Sequence, residues 1–195
     1  MAKRLSVLEA QKLWLDYRGG DIYALGKIMD SLYTDLFNWG MRLYPEKDFV
    51  KDMIQDMFLG LWKIKDTVSV VDNVQAYLLV MLKRKIFQEV TARDSKSPLP
   101  ISDDYEFLVE FSSDLRLIEE EHEIYQMRKI ERLLNDLPSR QKELIYLRFY
   151  QNLNFEEIAE TMQLGRQSVY NLFQKSLKSL RKNWIYGILL LLILQ

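Results

Sequence analysis

Arg166, Gln167, Tyr170, Asn171, Gln174, Lys175 and Lys178 follow one another in alternating steps of one and three residues. That spacing places all seven on one side of an α-helix. Carboxamides near the start of such a helix can present a donor and an acceptor to a base edge, adenine most readily, while Lys and Arg meet phosphates. From Thr161 to the end of the chain no acidic residue interrupts this surface. The plain alternative is a solvated basic face on an ordinary helical hairpin.

Two further groups stand out. Asp52, Gln55 and Asp56 lie at i, i+3 and i+4 and form an acidic-amide ledge beside an apolar stripe. Two carboxylates four apart suit a metal or acid-base pair, but no His, Cys or third carboxylate is spaced to join them, and a solvated face explains them too. Lys83, Arg84, Lys85, Gln88 and Arg93 crowd the second half of another helical stretch, with Tyr77 and Phe87 between the cations. Such a mixture suits a nucleic-acid backbone and its bases.

The elements that must position these groups are helical throughout. Gly and Pro number only 7 and 4 in 195 residues, and alternating strand-like runs are scarce. Ser6 to Glu9 reads as a capping box for a first helix ending at Gly19-Gly20, and Asp21 caps a second through Leu43, with Ile22 to Trp39 supplying an inward stripe. A third helix begins at Asp48. After the connection from Lys63 to Asp72, Asn73 caps a fourth. Asp94 to Ser113 breaks the pattern with Ser, Pro and acids and reads as a linker, either docked through Phe107, Leu108 and Phe111 or mobile.

A long helix follows from Asp114 to about Asp136, and Leu137-Pro138 opens another, with Leu144, Ile145, Leu147 and Phe149 as core and Arg140, Lys142 and Arg148 left for phosphate or solvent. Asn154, followed by Glu156 and Glu157, starts the first helix of a helix-turn-helix. Gln163-Leu164-Gly165 makes its turn and Arg166 opens the second helix. The fold class is therefore all-α: two small helical domains joined by an acidic linker, the C-terminal one containing the helix-turn-helix.

Net charge is only −1, but nine acids between Asp103 and Glu123 face a single Arg116, so an acidic middle separates two basic flanks. There is no cysteine and a single histidine, His122, which leaves no thiolate site and agrees with a reducing cytoplasm. The N-terminus lacks an apolar signal core. At the other end, Trp184 to Leu194 is an apolar run whose helical length, about 16 Å, is half that of a bilayer's hydrocarbon core. It is too short to span, and it suits inward packing, a regulator or a membrane surface. No Gly-rich phosphate loop, nucleophile-base set or metal-ligand cluster is present, which argues against an enzyme, a cofactor, a metal or a small-molecule substrate.

The order of parts, DMIQDMFLGLW, a cationic-aromatic helix, an acidic stretch, then LPSRQKELIYLRFYQNLNFEEIAETM and a terminal polar helix, resembles the ECF subfamily of bacterial RNA polymerase sigma factors from about Ala24 to Arg181. The QSVYNL form looks like that common in Bacteroidetes members. The resemblance implies residues 1–94 as a region 2-like domain, 95–113 as linker, 114–183 as a region 4-like domain and 184–195 as a hydrophobic tail. It implies that Asp52, Gln55 and Asp56 meet core RNA polymerase. Asp66 to Asn73, with Lys83, Arg84, Lys85 and Gln88, would hold the melted minus 10 element of promoter DNA, and Arg166, Gln167, Tyr170, Asn171, Gln174, Lys175 and Lys178 the minus 35 duplex. An anti-sigma partner, often membrane-embedded in this family, and a cytoplasmic location are implied as well. Family members often carry Gly or a small polar residue at the position of Gln163, and basic residues at those of Tyr170, Asn171 and Leu172, so promoter sequence is not inherited. A free-standing helix-turn-helix regulator and a membrane-associated helical adaptor are the competing readings.

Overall fold

The computed structural model describes residues 5–93, 105–110 and 121–193. Among them every regular element is helical, and the fold is all-α. The helices are α1 (Val7–Arg18), α2 (Ile22–Leu43), α3 (Lys47–Lys63), α4 (Val74–Arg93), α5 (Glu121–Asn135), α6 (Ser139–Ile145), which continues into a π-helical turn (Tyr146–Tyr150), α7 (Phe155–Met162) and α8 (Arg166–Ile193). They form two units, α1 to α4 and α5 to α8.

In the first unit α2 packs against each of the other three helices. The start signals read from sequence are in place. Ser6 and Glu9 exchange the two hydrogen bonds of a capping box, and the Asp21 carboxylate accepts from the amides of Tyr23 and Ala24. The core is built on Trp14, Tyr17, Ile28, Leu36, Trp39, Ile54, Leu61, Leu78, Leu79, Leu82 and Ile86, all fully buried. Ile22, expected inward, is exposed, because it stands in the first turn of α2 ahead of the stripe that begins at Ala24 and Leu25. The Tyr17 hydroxyl donates to the Leu61 carbonyl at 2.5 Å, and burial pushes its pKa up to about 12.

At Gly40 the backbone of α2 lies close against α3 and α4. A Cβ there would stand 2.5 Å from Val50 Cγ1 and 3.6 Å from Ile86 Cδ1. Gly40→Ala gains about 1 kcal/mol of helix propensity. The overpacking outweighs that, at about 1–3 kcal/mol. Denaturant unfolding of the variant should show a net loss, whereas Gly26→Ala, with open space around the added methyl, should gain.

In the second unit α8 packs against α5 and α6. Of the expected Asp114 helix the described part is α5, and residues 114–120 lie outside the described residues. Residues 105–110, expected as linker, pack on this unit. Phe107 and Val109 are buried while Glu106, Leu108 and Glu110 are exposed, and Phe111 lies outside the described residues. That alternation is the signature of an extended segment. Phe149, expected in the core, is 66% exposed. The π turn inserts one residue into the repeat, which rotates Phe149 outward and stacks Tyr146 on Tyr150 at 4.9 Å.

Candidate nucleic-acid interface

The helix-turn-helix is α7, the turn 163–165 and the first half of α8. Asn154 and Glu157 form a reciprocal capping box, with Asn154 Oδ1 accepting from the Glu157 amide at 2.9 Å and Glu157 Oε2 from the Asn154 amide at 2.7 Å. At the other end of α7 the Leu164 amide returns to the Ala159 carbonyl at 2.9 Å, which requires a left-handed residue between. That residue is Gln163, with φ 54°. Gly165, expected at the cap of the second helix, caps α8, its carbonyl accepting from the Val169 amide at 3.1 Å. Gln163→Gly should therefore stabilise the unit by about 0.5–1 kcal/mol, the relief of the left-handed strain less the entropy that glycine brings. A thermal melt showing no gain would place the strain elsewhere.

On α8, Val169 and Ser176 are buried, while Arg166, Gln167, Tyr170, Asn171, Gln174, Lys175 and Lys178 are all exposed on the opposite side. Gln167 Nε2 donates to Asn171 Oδ1 at 3.1 Å, a bond that orients both carboxamides and does not engage the Gln167 carbonyl oxygen or the Asn171 Nδ2. Tyr170 rests on Phe155 at 4.5 Å between ring centroids, and Phe155 in turn meets Phe173 at 5.2 Å and carries the Arg148 guanidinium at 5.4 Å. Arg166 reaches Glu156 of α7 at 3.4 Å, a surface pair of small energetic value. Beside this face an open groove of about 470 Å³ is lined by Arg140, Leu164, Ser168, Asn171, Leu172 and Lys175 among others. Sequence reasoning left out Ser168, which falls one step further round the same helix.

The three cations expected for phosphate or solvent in the preceding helix have other roles. Lys142 is buried, Arg140 meets the fully buried Glu143 at 3.6 Å, and Arg148 donates to the Leu153 carbonyl at 2.8 Å. They brace the scaffold beneath α8.

In the N-terminal unit Asp52, Gln55 and Asp56 are all exposed on the solvent side of α3. Asp56 faces Lys85 of α4 at 3.3 Å, so one residue of the acidic ledge and one of the cationic cluster are paired across the two helices. Arg84 and Gln88 are exposed. Lys83 is not part of this surface: it is 2% exposed, with Nζ 6.0 Å from the Phe87 ring. The signal was present, because Leu79, Leu82, Lys83 and Ile86 stand at i, i+3, i+4 and i+7 and define the buried stripe. The Asn73 side chain caps α4, its Oδ1 accepting from the Ala76 amide at 3.1 Å.

The connection between α3 and α4 is held by α1. Gln11 Nε2 donates to the Asp72 carbonyl at 2.6 Å, Trp14 Nε1 to Ser69 at 3.0 Å and Arg18 Nε to Val68 at 2.8 Å. Three side chains of one helix thus fix the backbone of a loop, with Val70 left 59% exposed. Among the described residues no three His, Asp or Glu side chains gather as a metal site, and no helix is long and apolar enough to cross a membrane.

Residues 133–182 match the family model described as Sigma-70, region 4. CnrH, solved in complex with the cytosolic domain of CnrY, is similar in structure at a TM-score of 0.60, over 91% of this chain and 98% of that one, at 16% sequence identity. The sigma factor RpoE, in complex with the anti-sigma factor NepR from Bartonella quintana, gives 0.54 over 79% of this chain and 92% of that one, again at 16% identity. At that identity the likeness is one of fold. The comparison with curated proteins gives no match.

Proposed function

We propose that the chain is a sigma factor of the ECF type, in the form common in Bacteroidetes, which binds core RNA polymerase and directs transcription initiation at promoters. The observation that carries this reading is the exposed half of α8, where carboxamides, a tyrosine and lysines stand together without an acid of their own helix. The region 4 match over 133–182 supports it. In this reading Arg166, Gln167, Tyr170, Asn171, Gln174, Lys175 and Lys178 read the minus 35 duplex, with affinity from the cations and choice from the carboxamides. Arg84, Lys85 and Gln88, on the helix that the loop held by α1 leads into, take the opened minus 10 strand, and Asn73 serves that surface by capping α4. Asp52, Gln55 and Asp56 meet the polymerase. The chain itself catalyses nothing.

The same reading gives residues 1–94 and 114–183 as the two functional domains and an anti-sigma protein as regulator. RpoE was solved with NepR and CnrH with the cytosolic domain of CnrY, which supports a regulator of that kind. A cytoplasmic location follows, with membrane association through the regulator or the tail 184–195.

The test is retention of purified bacterial core RNA polymerase by the full chain, wild type beside Asp52→Ala/Gln55→Ala, followed by run-off transcription from a genomic promoter pool. The expected result is retention by the wild type, at least ~10-fold weaker for the double variant as suits the loss of about 1.4 kcal/mol or more, and discrete new transcripts. A folded wild type that retains no polymerase leaves a free-standing helix-turn-helix regulator.

A further inference from the structure

Gln11, Trp14 and Arg18 stand at i, i+3 and i+7 and so share one stripe of α1. All three donate to backbone carbonyls of the connection between α3 and α4, in reverse order along the chain: Gln11 to Asp72, Trp14 to Ser69 and Arg18 to Val68. The loop therefore runs antiparallel to α1. Seven helical residues advance about 10 Å and four extended ones about 13 Å, so an extended loop matches the stripe in length. The Tyr17 hydroxyl adds a fourth bond to a carbonyl, that of Leu61 in the last turn of α3, and Val68 is buried at the start of the held stretch. Every one of these bonds takes a carbonyl, and none takes a side chain of the loop. Ser69, Val70 and Asp72 are exposed, and among the described residues no hydrogen bond reaches the amide or carbonyl of Val70 or Val71. One helix thus fixes the loop backbone while its side chains and one stretch of peptide edge stay available.

We propose that Gln11, Trp14 and Arg18 are positioning residues for the opened DNA strand, which they serve by holding the loop 68–72 in the extended form that grips it. The inference rests on the sigma reading above, with the connection 66–73 and α4 holding that strand. The α1 side chains act through the loop and do not touch DNA. A loop without these bonds would lose backbone freedom each time it captured a strand. Held by α1, it has already lost that freedom in folding, so strand binding keeps the free energy that separating and unstacking the bases requires.

The experiment uses the full chain with bacterial core RNA polymerase on a promoter that the wild type selects from the genomic pool, and reads run-off transcripts. Gln11→Met/Arg18→Met keeps both stems at half-buried positions and removes both donors. The variant should retain polymerase as the wild type does, yet yield at least ~10-fold fewer transcripts from the duplex promoter, the effect of about one more loop residue to order at capture. With the minus 10 segment premelted, the deficit should shrink to about twofold or less, because the bases no longer have to be separated. Arg18→Lys, which keeps a donor, should transcribe the duplex nearly as the wild type does, and so should Lys12→Met, at an exposed position of α1. Equal transcription of the duplex by the double variant and the wild type overturns the inference and leaves the sigma reading standing. An equal deficit on duplex and premelted DNA, from a variant with the native helical signal, overturns it too. Where the double variant loses that signal, Gln11→Met alone decides by the same two templates. A wild type that retains no polymerase overturns the reading and the inference together.

Discussion

Lys175→Glu together with Lys178→Glu should weaken binding of the chain to duplex DNA by roughly 10²–10³-fold at 0.1 M salt and flatten the dependence of log affinity on log salt by about two. Both lysines are exposed on the polar face of α8, about two and a half and about three turns beyond its N-terminus, where, in the proposed reading, base contact gives way to backbone contact. Each removed cation releases one fewer counterion, and each added carboxylate repels a phosphate that the remaining cations still draw near. Lys12→Glu/Lys27→Glu, exposed but on α1 and α2, carries the same change in net charge and should leave the slope unchanged. Gln167→Ala/Asn171→Ala should do the reverse of the lysine pair. Affinity for random duplex should hold, and discrimination between sites should fall by about 1–3 kcal/mol for each bidentate base pairing that the truncation removes. A filter-binding salt titration separates the two effects. An unchanged slope for the lysine pair would remove α8 from the DNA.

The largest effect on stability is expected at Trp39→Ala. The side chain is fully buried near the C-terminal end of α2, the helix that touches all three others of its unit, and its Nε1 donates to the Leu79 carbonyl of α4 at 3.3 Å. Truncation to alanine costs about 3–5 kcal/mol. That is most of the stability of a small domain. The N-terminal helices should melt below 37 °C while duplex binding by α8 persists, visible as an early partial loss of helical circular dichroism with DNA affinity retained. Trp62→Ala, at a half-buried position, should shift the melt far less. A single melting step with DNA binding lost in parallel would contradict the prediction.

Where a helix begins was legible because capping is local chemistry. Ser6, Asp21, Asn73 and Asn154 each announce a helix within four residues, and all four side chains accept the expected amide hydrogen bond. The polar face of α8 was legible because periodicity alone places its residues on one side. What the sequence hid depends on partners distant in the chain. Arg148 looks like a surface cation until the Leu153 carbonyl and the Phe155 ring are placed beside it. Gln11, Trp14 and Arg18 look like ordinary helix residues until the loop 50 or more positions later lies across them. Lys83 was misread by charge when its spacing already put it inside. The period-two run from Tyr105 to Glu110 was likewise visible, and the prolines and acids before it concealed it.

The π turn at Tyr146–Tyr150 gives the C-terminal unit a property that substitution does not test. It holds one residue more than the α repeat would, so the azimuth of everything after Gln151 relative to α6 is set by residue count rather than by residue identity. Deleting any single residue of the five restores the α repeat and turns the following chain by about 100° with a shift of about 1.5 Å. A helix face aimed by counting tolerates many replacements in this stretch. It tolerates no insertion or deletion.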